Sequence, residues 1–170
     1  MESKTKFLGH PIHQMLVPVP FGSLGVAAIF DVIYLVSSNP TMLVVSYWMI
    51  AAGVVGGVVA APFGLIDYLA IPSGTRAKSV GLVHGIGNVF VLLFFIGSWL
   101  LRYGSTVPND PRRYPGIVAL VLSFAGFALA GITGWLGGEL VSRLRVGVDE
   151  GANLDASSSL LGQVASRRSR

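Results

Sequence analysis

Val80-Gly81-Leu82-Val83-His84-Gly85-Ile86-Gly87-Asn88-Val89-Phe90-Val91-Leu92-Leu93-Phe94-Phe95-Ile96-Gly97-Ser98-Trp99-Leu100-Leu101 contains no Lys, Arg, Asp or Glu. About 20 apolar residues are what an α-helix needs to cross roughly 30 Å of hydrocarbon, so this stretch reads as a transmembrane helix. Working outward, residues 16–36, 43–71 and 116–138 form three further runs of the same kind. Four spans follow. The 170-residue chain is 52% hydrophobic and 12% charged, which leaves too little polar surface for a water-facing globule of this size. Lipid against the outer faces removes that difficulty.

The runs are separated by Ser37-Ser38-Asn39-Pro40, by Pro72-Ser73-Gly74-Thr75-Arg76, and by a 102–115 segment containing Pro108, Pro111 and Pro115. Short connections set neighbouring helices antiparallel, which predicts an all-α, integral membrane, antiparallel four-helix bundle over residues 1–148. Pro18 and Pro20 bend the start of the first helix, and Pro62 with Gly64 predicts a kink or an unwound turn late in the second. Residues 149–170 have little to bury and end in Arg167-Arg168-Ser169-Arg170, so they are predicted to form a mobile basic tail, solvated or resting on anionic lipid.

Lys and Arg are distributed unevenly about the spans. Lys4, Lys6, Arg76, Lys78, Arg143, Arg145, Arg167, Arg168 and Arg170 fall on one side; Arg102, Arg112 and Arg113 fall on the other. Positive charge is retained inside, so both termini and the loop between spans two and three are predicted to be cytoplasmic. Trp48 and Trp99 are expected at the opposite interface and Trp135 at the cytoplasmic one. Lys4, Lys6 and His10 precede an apolar run too long for a signal-peptide core, so the first span is expected to stay in the membrane.

Several chemistries are excluded. Without Cys there are no disulfides, thiolate metal sites or cysteine nucleophiles. The net charge of +4 comes from helix ends and tail without interleaved aromatics, so no nucleic-acid partner is expected. Hydrolase and nucleotide motifs are missing, as are the inverted repeats of a transporter. No feature assigns an enzymatic reaction.

Small residues recur at intervals of four: Gly53 and Gly57, Gly81 and Gly85, then Gly126, Ala130, Gly134 and Gly138. Such rows let membrane helices approach closely, within one bundle or between copies.

Ionisable groups inside a span cost roughly 2.5 to 3.5 kcal/mol on insertion scales, so each needs a reason. His84 and Asn88 share a face of span three near its cytoplasmic end, Asp67 lies about one turn from that end of span two, and Glu139 closes span four there. His10 and His13 precede span one on the same side, whereas Asp31 falls at the other. Each member has a plain role: solvated rings for His10 and His13, pairing with Arg76, Lys78 or a cap for Asp67, structural hydrogen bonding for His84 and Asn88, and an i, i+4 pair with Arg143 for Glu139. Together they also form a donor set. His10, His13, His84 and Asn88 suit a haem pocket, and His10, His13, Asp67, His84 and Glu139 suit a transition-metal ion.

The segment Gly9-His10-Pro11-Ile12-His13-Gln14-Met15-Leu16-Val17-Pro18-Val19-Pro20-Phe21-Gly22 resembles the G-H-P-x-H-P-M-L-V-P-F-P-x-G signature of a domain-of-unknown-function family of four-span prokaryotic membrane proteins. The likeness continues through Phe30-Asp31, Gly64-Leu65-Ile66-Asp67, His84 with Asn88, and Gly134-Trp135-Leu136-Gly137-Gly138-Glu139-Leu140-Val141, covering about residues 9–148. Gln14 departs from the signature, as do Ser142-Arg143-Leu144-Arg145, and some relatives have His where Glu139 stands. The resemblance implies a multi-pass protein of the prokaryotic inner membrane. Fusions of some relatives to Rieske-type domains imply redox surroundings. The expected function is therefore haem b or transition-metal binding at the cytoplasmic end, serving electron transfer or an accessory role in a redox complex. The alternative is a cofactor-free structural subunit that uses its glycine faces in a homo-oligomer or larger complex, with the lipid bilayer as partner in either case.

Because the chain has no Cys, topology is directly testable: a single cysteine at Ser73 should react with impermeant reagent only from the cytoplasmic side, and one at Ser38 only from the outside.

Overall fold

The computed structural model describes residues 1–103 and 115–160; Pro108, Pro111, Arg112, Arg113 and the tail arginines 167, 168 and 170 lie outside the described residues. The chain opens with a minimal hairpin, β1 (Lys6–Phe7) paired antiparallel with β2 (His10–Pro11). Its turn residues Leu8 and Gly9 both have left-handed φ, 50° and 88°, the conformation that two-residue hairpin loops demand. Short helix α1 (Ile12–Leu16) continues through Val17, which keeps helical dihedrals, into α2 (Pro18–Ser37). The first span thus begins at Ile12, earlier than hydropathy indicates, and Pro18 marks a junction within it.

Helix α3 (Pro40–Leu69) starts with Pro at its first position, where no N–H is required, and Asn39 caps it by accepting the Thr41 N–H at 3.0 Å. It runs unbroken through Pro62, so the expected unwound turn is absent. Helix α4 (Arg76–Arg102) is capped by the Thr75 hydroxyl, which accepts from the Lys78 N–H at 3.2 Å. Helix α5 (Ile117–Gly138) passes into one π-helical turn, Glu139–Arg143.

The four long helices close a ring: α2 packs on α3, α3 on α4, α4 on α5 and α5 back on α2. The core lies between them, with Leu24 and Ala27 from α2, Ile50 from α3, Val91 and Phe95 from α4 and Ala130 from α5. Outward positions such as Ile29, Val55, Leu93 and Ile132 are apolar and exposed, the pattern of a surface solvated by lipid. The molecule is an all-α membrane bundle, and among the described residues four helices are long and apolar enough to cross a bilayer.

Most of the small-residue rows are consumed inside this bundle. A Cβ at Gly53 would stand 2.5 Å from Leu24, at Gly57 2.6 Å from Leu92, at Gly126 2.9 Å from Phe95 and at Gly134 3.2 Å from Phe21. Gly85 and Gly138 meet nothing within 4 Å. Trp48 and Trp135 are exposed, as interfacial rings are, whereas Trp99 packs against the core and stacks on Tyr47 with centroids 5.6 Å apart.

At the end of the bundle away from the amino terminus lies a buried ion pair. Arg102, expected in a loop among topology-setting charges, turns inward and is 1% exposed; Asp31 is completely buried. The guanidinium donates Nη1–H and Nη2–H to the two carboxylate oxygens at 2.7 Å each, in bidentate fashion. Three serines complete the cluster. Ser123 donates to Asp31 at 2.8 Å, Ser46 accepts from Arg102 Nη1 at 3.2 Å, and Ser98 accepts from Arg102 Nε at 3.1 Å while donating to the Ala119 carbonyl at 2.7 Å. All four long helices therefore contribute to one polar knot.

Removing one partner of a buried pair strands the other charge, at a cost of about 3 to 5 kcal/mol, whereas replacing both by apolar groups is often near neutral. Arg102→Ala is therefore expected to lower the unfolding midpoint in detergent far more than the double change Asp31→Leu with Arg102→Met, measured by thermal or SDS denaturation.

Candidate functional site

The opposite end holds all three histidines. His84 lies on α4 and is half-buried against α5, in a space that a Cβ at Gly137 would narrow to 3.2 Å from Cε1. Its Nδ1 is 2.9 Å from the Thr133 carbonyl, and because a carbonyl only accepts, Nδ1 carries the proton. In the neutral ring Nε2 then bears the lone pair. The Asn88 amide faces it at 3.2 Å, while donating a shorter bond of 2.8 Å to the His84 carbonyl one turn back. Thr133 closes the loop by donating its hydroxyl to Asn88 Oδ1 at 3.2 Å. The i, i+4 spacing of His84 and Asn88 is visible in sequence; Thr133, a hydroxyl within an apolar run, carries no such signal.

His13 lies on α1 and reaches α3. Its Nδ1 is 3.0 Å from the Ala60 carbonyl, so Nδ1 is the donor and the neutral ring has its lone pair on Nε2. The imidazole occupies a notch at Gly64, where a Cβ would stand 2.7 Å from Cε1. His10, in contrast, is exposed on the hairpin, with Nε2 3.4 Å from the Ser159 hydroxyl.

The carboxylates go elsewhere. Asp67 is buried and accepts the Ser3 hydroxyl at 2.7 and 2.9 Å and the Lys4 N–H at 2.7 Å. It pairs with neither Arg76 nor Lys78. Lys78 donates to the Tyr68 carbonyl at 2.9 Å, and Arg76 pairs with Glu139 at 2.9 Å. Arg143 is the more distant partner of Glu139, at 4.0 Å. Among the described residues no three His, Asp or Glu side chains gather in one place. The structure thus brings together His84 with Asn88 and Thr133 and seats His13 on α3, while His10, Asp67 and Glu139 are separately engaged.

The amino-terminal segment is held by charges outside the spans. Lys6 pairs with Glu2 at 2.8 Å and contacts Asp149, and the Glu150 N–H donates to Glu2 at 3.1 Å. The hydrogen bond from Lys6 holds the Glu2 carboxyl below the usual carboxylate range, and the hydrogen bond to Asp149 raises Lys6.

Residues 9–150 match a family described as predicted membrane protein (DUF2231), and the chain belongs to it. No curated protein and no solved structure matches the chain.

A carboxyl whose folded pKa is lowered contributes stability above its unfolded value and loses it as pH falls through the folded one. Exchange protection of the Glu150 amide should accordingly persist from neutral pH down through the ordinary carboxylate range and disappear below it, as read by amide hydrogen exchange; pH-independent protection would contradict this.

Proposed function

We propose that this DUF2231 member uses His13 and His84 as the imidazole ligands of a transition-metal centre, a haem iron or a single ion, and serves electron transfer or an accessory role in a redox complex. One observation carries the reading. Both half-buried rings donate Nδ1–H to a main-chain carbonyl of another helix, at 3.0 Å to Ala60 and 2.9 Å to Thr133. Carbonyl anchoring of one ring nitrogen is the arrangement that fixes tautomer and orientation in metal-ligating histidines, with the other nitrogen left as donor to the metal.

The remaining groups fit this donor set. The Asn88 amide keeps its shorter bond to the His84 carbonyl when Nε2 is taken up by a ligand. Gly64 and Gly137 admit the two rings close to the helix backbones. What such a centre supplies, when haem or another redox-active metal, is one-electron transfer. The chain's own part is to set two imidazoles in one tautomer and shield them between helices. The uneven Lys and Arg distribution supports a placement with both termini cytoplasmic, and the family resemblance supports the prokaryotic inner membrane.

A second reading is favoured by Gly22, Gly85, Gly131 and Gly138, whose missing Cβ atoms would meet nothing within 4 Å. Small residues facing outward suit a structural subunit that packs on another copy or on a larger complex.

The absorption spectrum and metal content of detergent-purified protein decide between them. A Soret band identifies haem, and stoichiometric metal without that band identifies a single ion; either should fall severalfold in His13→Ala and His84→Ala. Finding neither rejects the centre. Under the second reading, Gly85→Leu or Gly138→Leu should abolish association while His84→Ala leaves it intact.

A further inference from the structure

One face of α3 grips the amino-terminal segment at successive turns. Ala60, Gly64 and Asp67 are spaced i, i+4 and i+7, so they lie in a row along the helix. The Ala60 carbonyl accepts the His13 Nδ1–H, Gly64 makes room for the same ring, and Asp67 accepts Ser3 and Lys4. The two grips are joined by hydrogen bonds as well as by the chain. The Thr5 carbonyl, one residue past Lys4, accepts the Ile12 N–H at 3.0 Å. Ile12 is the first residue of α1, and His13 is the next.

Asp67 is an unusual anchor. A buried carboxylate requires compensation, and here a main-chain N–H and a hydroxyl provide it in place of a cation. Ser3, its hydroxyl partner, is buried as well. Among the described residues the carboxylate therefore holds a segment of chain and has no charged side chain as its partner.

We infer that Asp67 is a positioning residue for His13: it pins residues 3–5 to the end of α3, and through the Thr5 to Ile12 bond it holds α1 so that the His13 ring stays on the Ala60 carbonyl. The inference deepens the proposed imidazole pair and rests on it for its purpose. Its test needs no bound metal.

The full chain, labelled with ¹⁵N-histidine in detergent, reports the tautomer of each ring. His13 and His84 should each show a single form protonated at Nδ1. In Asp67→Ala, His13 should lose that single form and average between tautomers while His84, held by Thr133 and Asn88, is unchanged. Gly64→Ala should displace the same ring without touching Asp67, and Asp67→Asn, which keeps an acceptor for the Lys4 N–H, should retain most of the His13 signal. An unchanged His13 in Asp67→Ala overturns the inference. So does simultaneous loss of the His84 signal, which would make Asp67 a support of the whole bundle. Absence of metal and haem from the purified protein would leave these tautomer results standing, so the two proposals fail separately.

Discussion

Neither the Asp31 carboxylate nor the Arg102 guanidinium is tolerable alone inside a membrane bundle, and their mutual satisfaction is the constraint on which the arrangement of the helices depends. Hydrophobic contact cannot supply it, because lipid chains are as apolar as the side chains they replace. The pair demands one orientation, since only a planar guanidinium facing the carboxylate edge gives two bonds of 2.7 Å. Ser46, Ser98 and Ser123 extend that demand to the remaining helices, and Ser98 also ties α4 to the first turn of α5 through Ala119. Rotation or sliding of any one helix would break a bond that no water is available to replace.

With that end tied, the other end can be built differently. There the polar groups are held in two small sets, the His84, Asn88 and Thr133 loop between α4 and α5 and the His13 grip on α3. Neither set contains an ion pair. Both leave an imidazole nitrogen with a lone pair, and both seat the ring against glycine. One end of the molecule therefore consumes its polar capacity in structure, while the other retains some of it as donor atoms.

The spans were legible because length and hydropathy report directly on lipid contact: the run at 80–101 lies wholly within Arg76–Arg102, and the other three runs overlap their helices closely. The His84 and Asn88 pairing was legible for a similar reason, since a spacing of four fixes a shared helix face. Arg102 was misread as a loop charge. Its long side chain can turn outward or inward from the same backbone position, and only the location of Asp31 decides which. The three serines were invisible because an isolated hydroxyl scarcely changes hydropathy. Asp67 reads from sequence as a partner of Arg76, Lys78 or a cap, whereas its partners Ser3 and Lys4 lie more than 60 residues earlier and meet it only after the amino terminus folds back. The glycine rows were read correctly as close-packing surfaces, and the structure divides them into positions filled from within, such as Gly53 and Gly126, and positions left open, such as Gly85.

Helix α3 has 30 residues. At about 1.5 Å per residue it measures roughly 45 Å, half as long again as an average hydrocarbon layer of about 30 Å. The excess forces tilt or protrusion, and either response depends on the thickness of the surrounding membrane. Gly64 and Asp67 occupy the final turns, so the surface on which the amino-terminal segment rests lies at the end of this long helix. Any hydrophobic mismatch of α3 would be accommodated first at its ends, one of which carries the seat of His13.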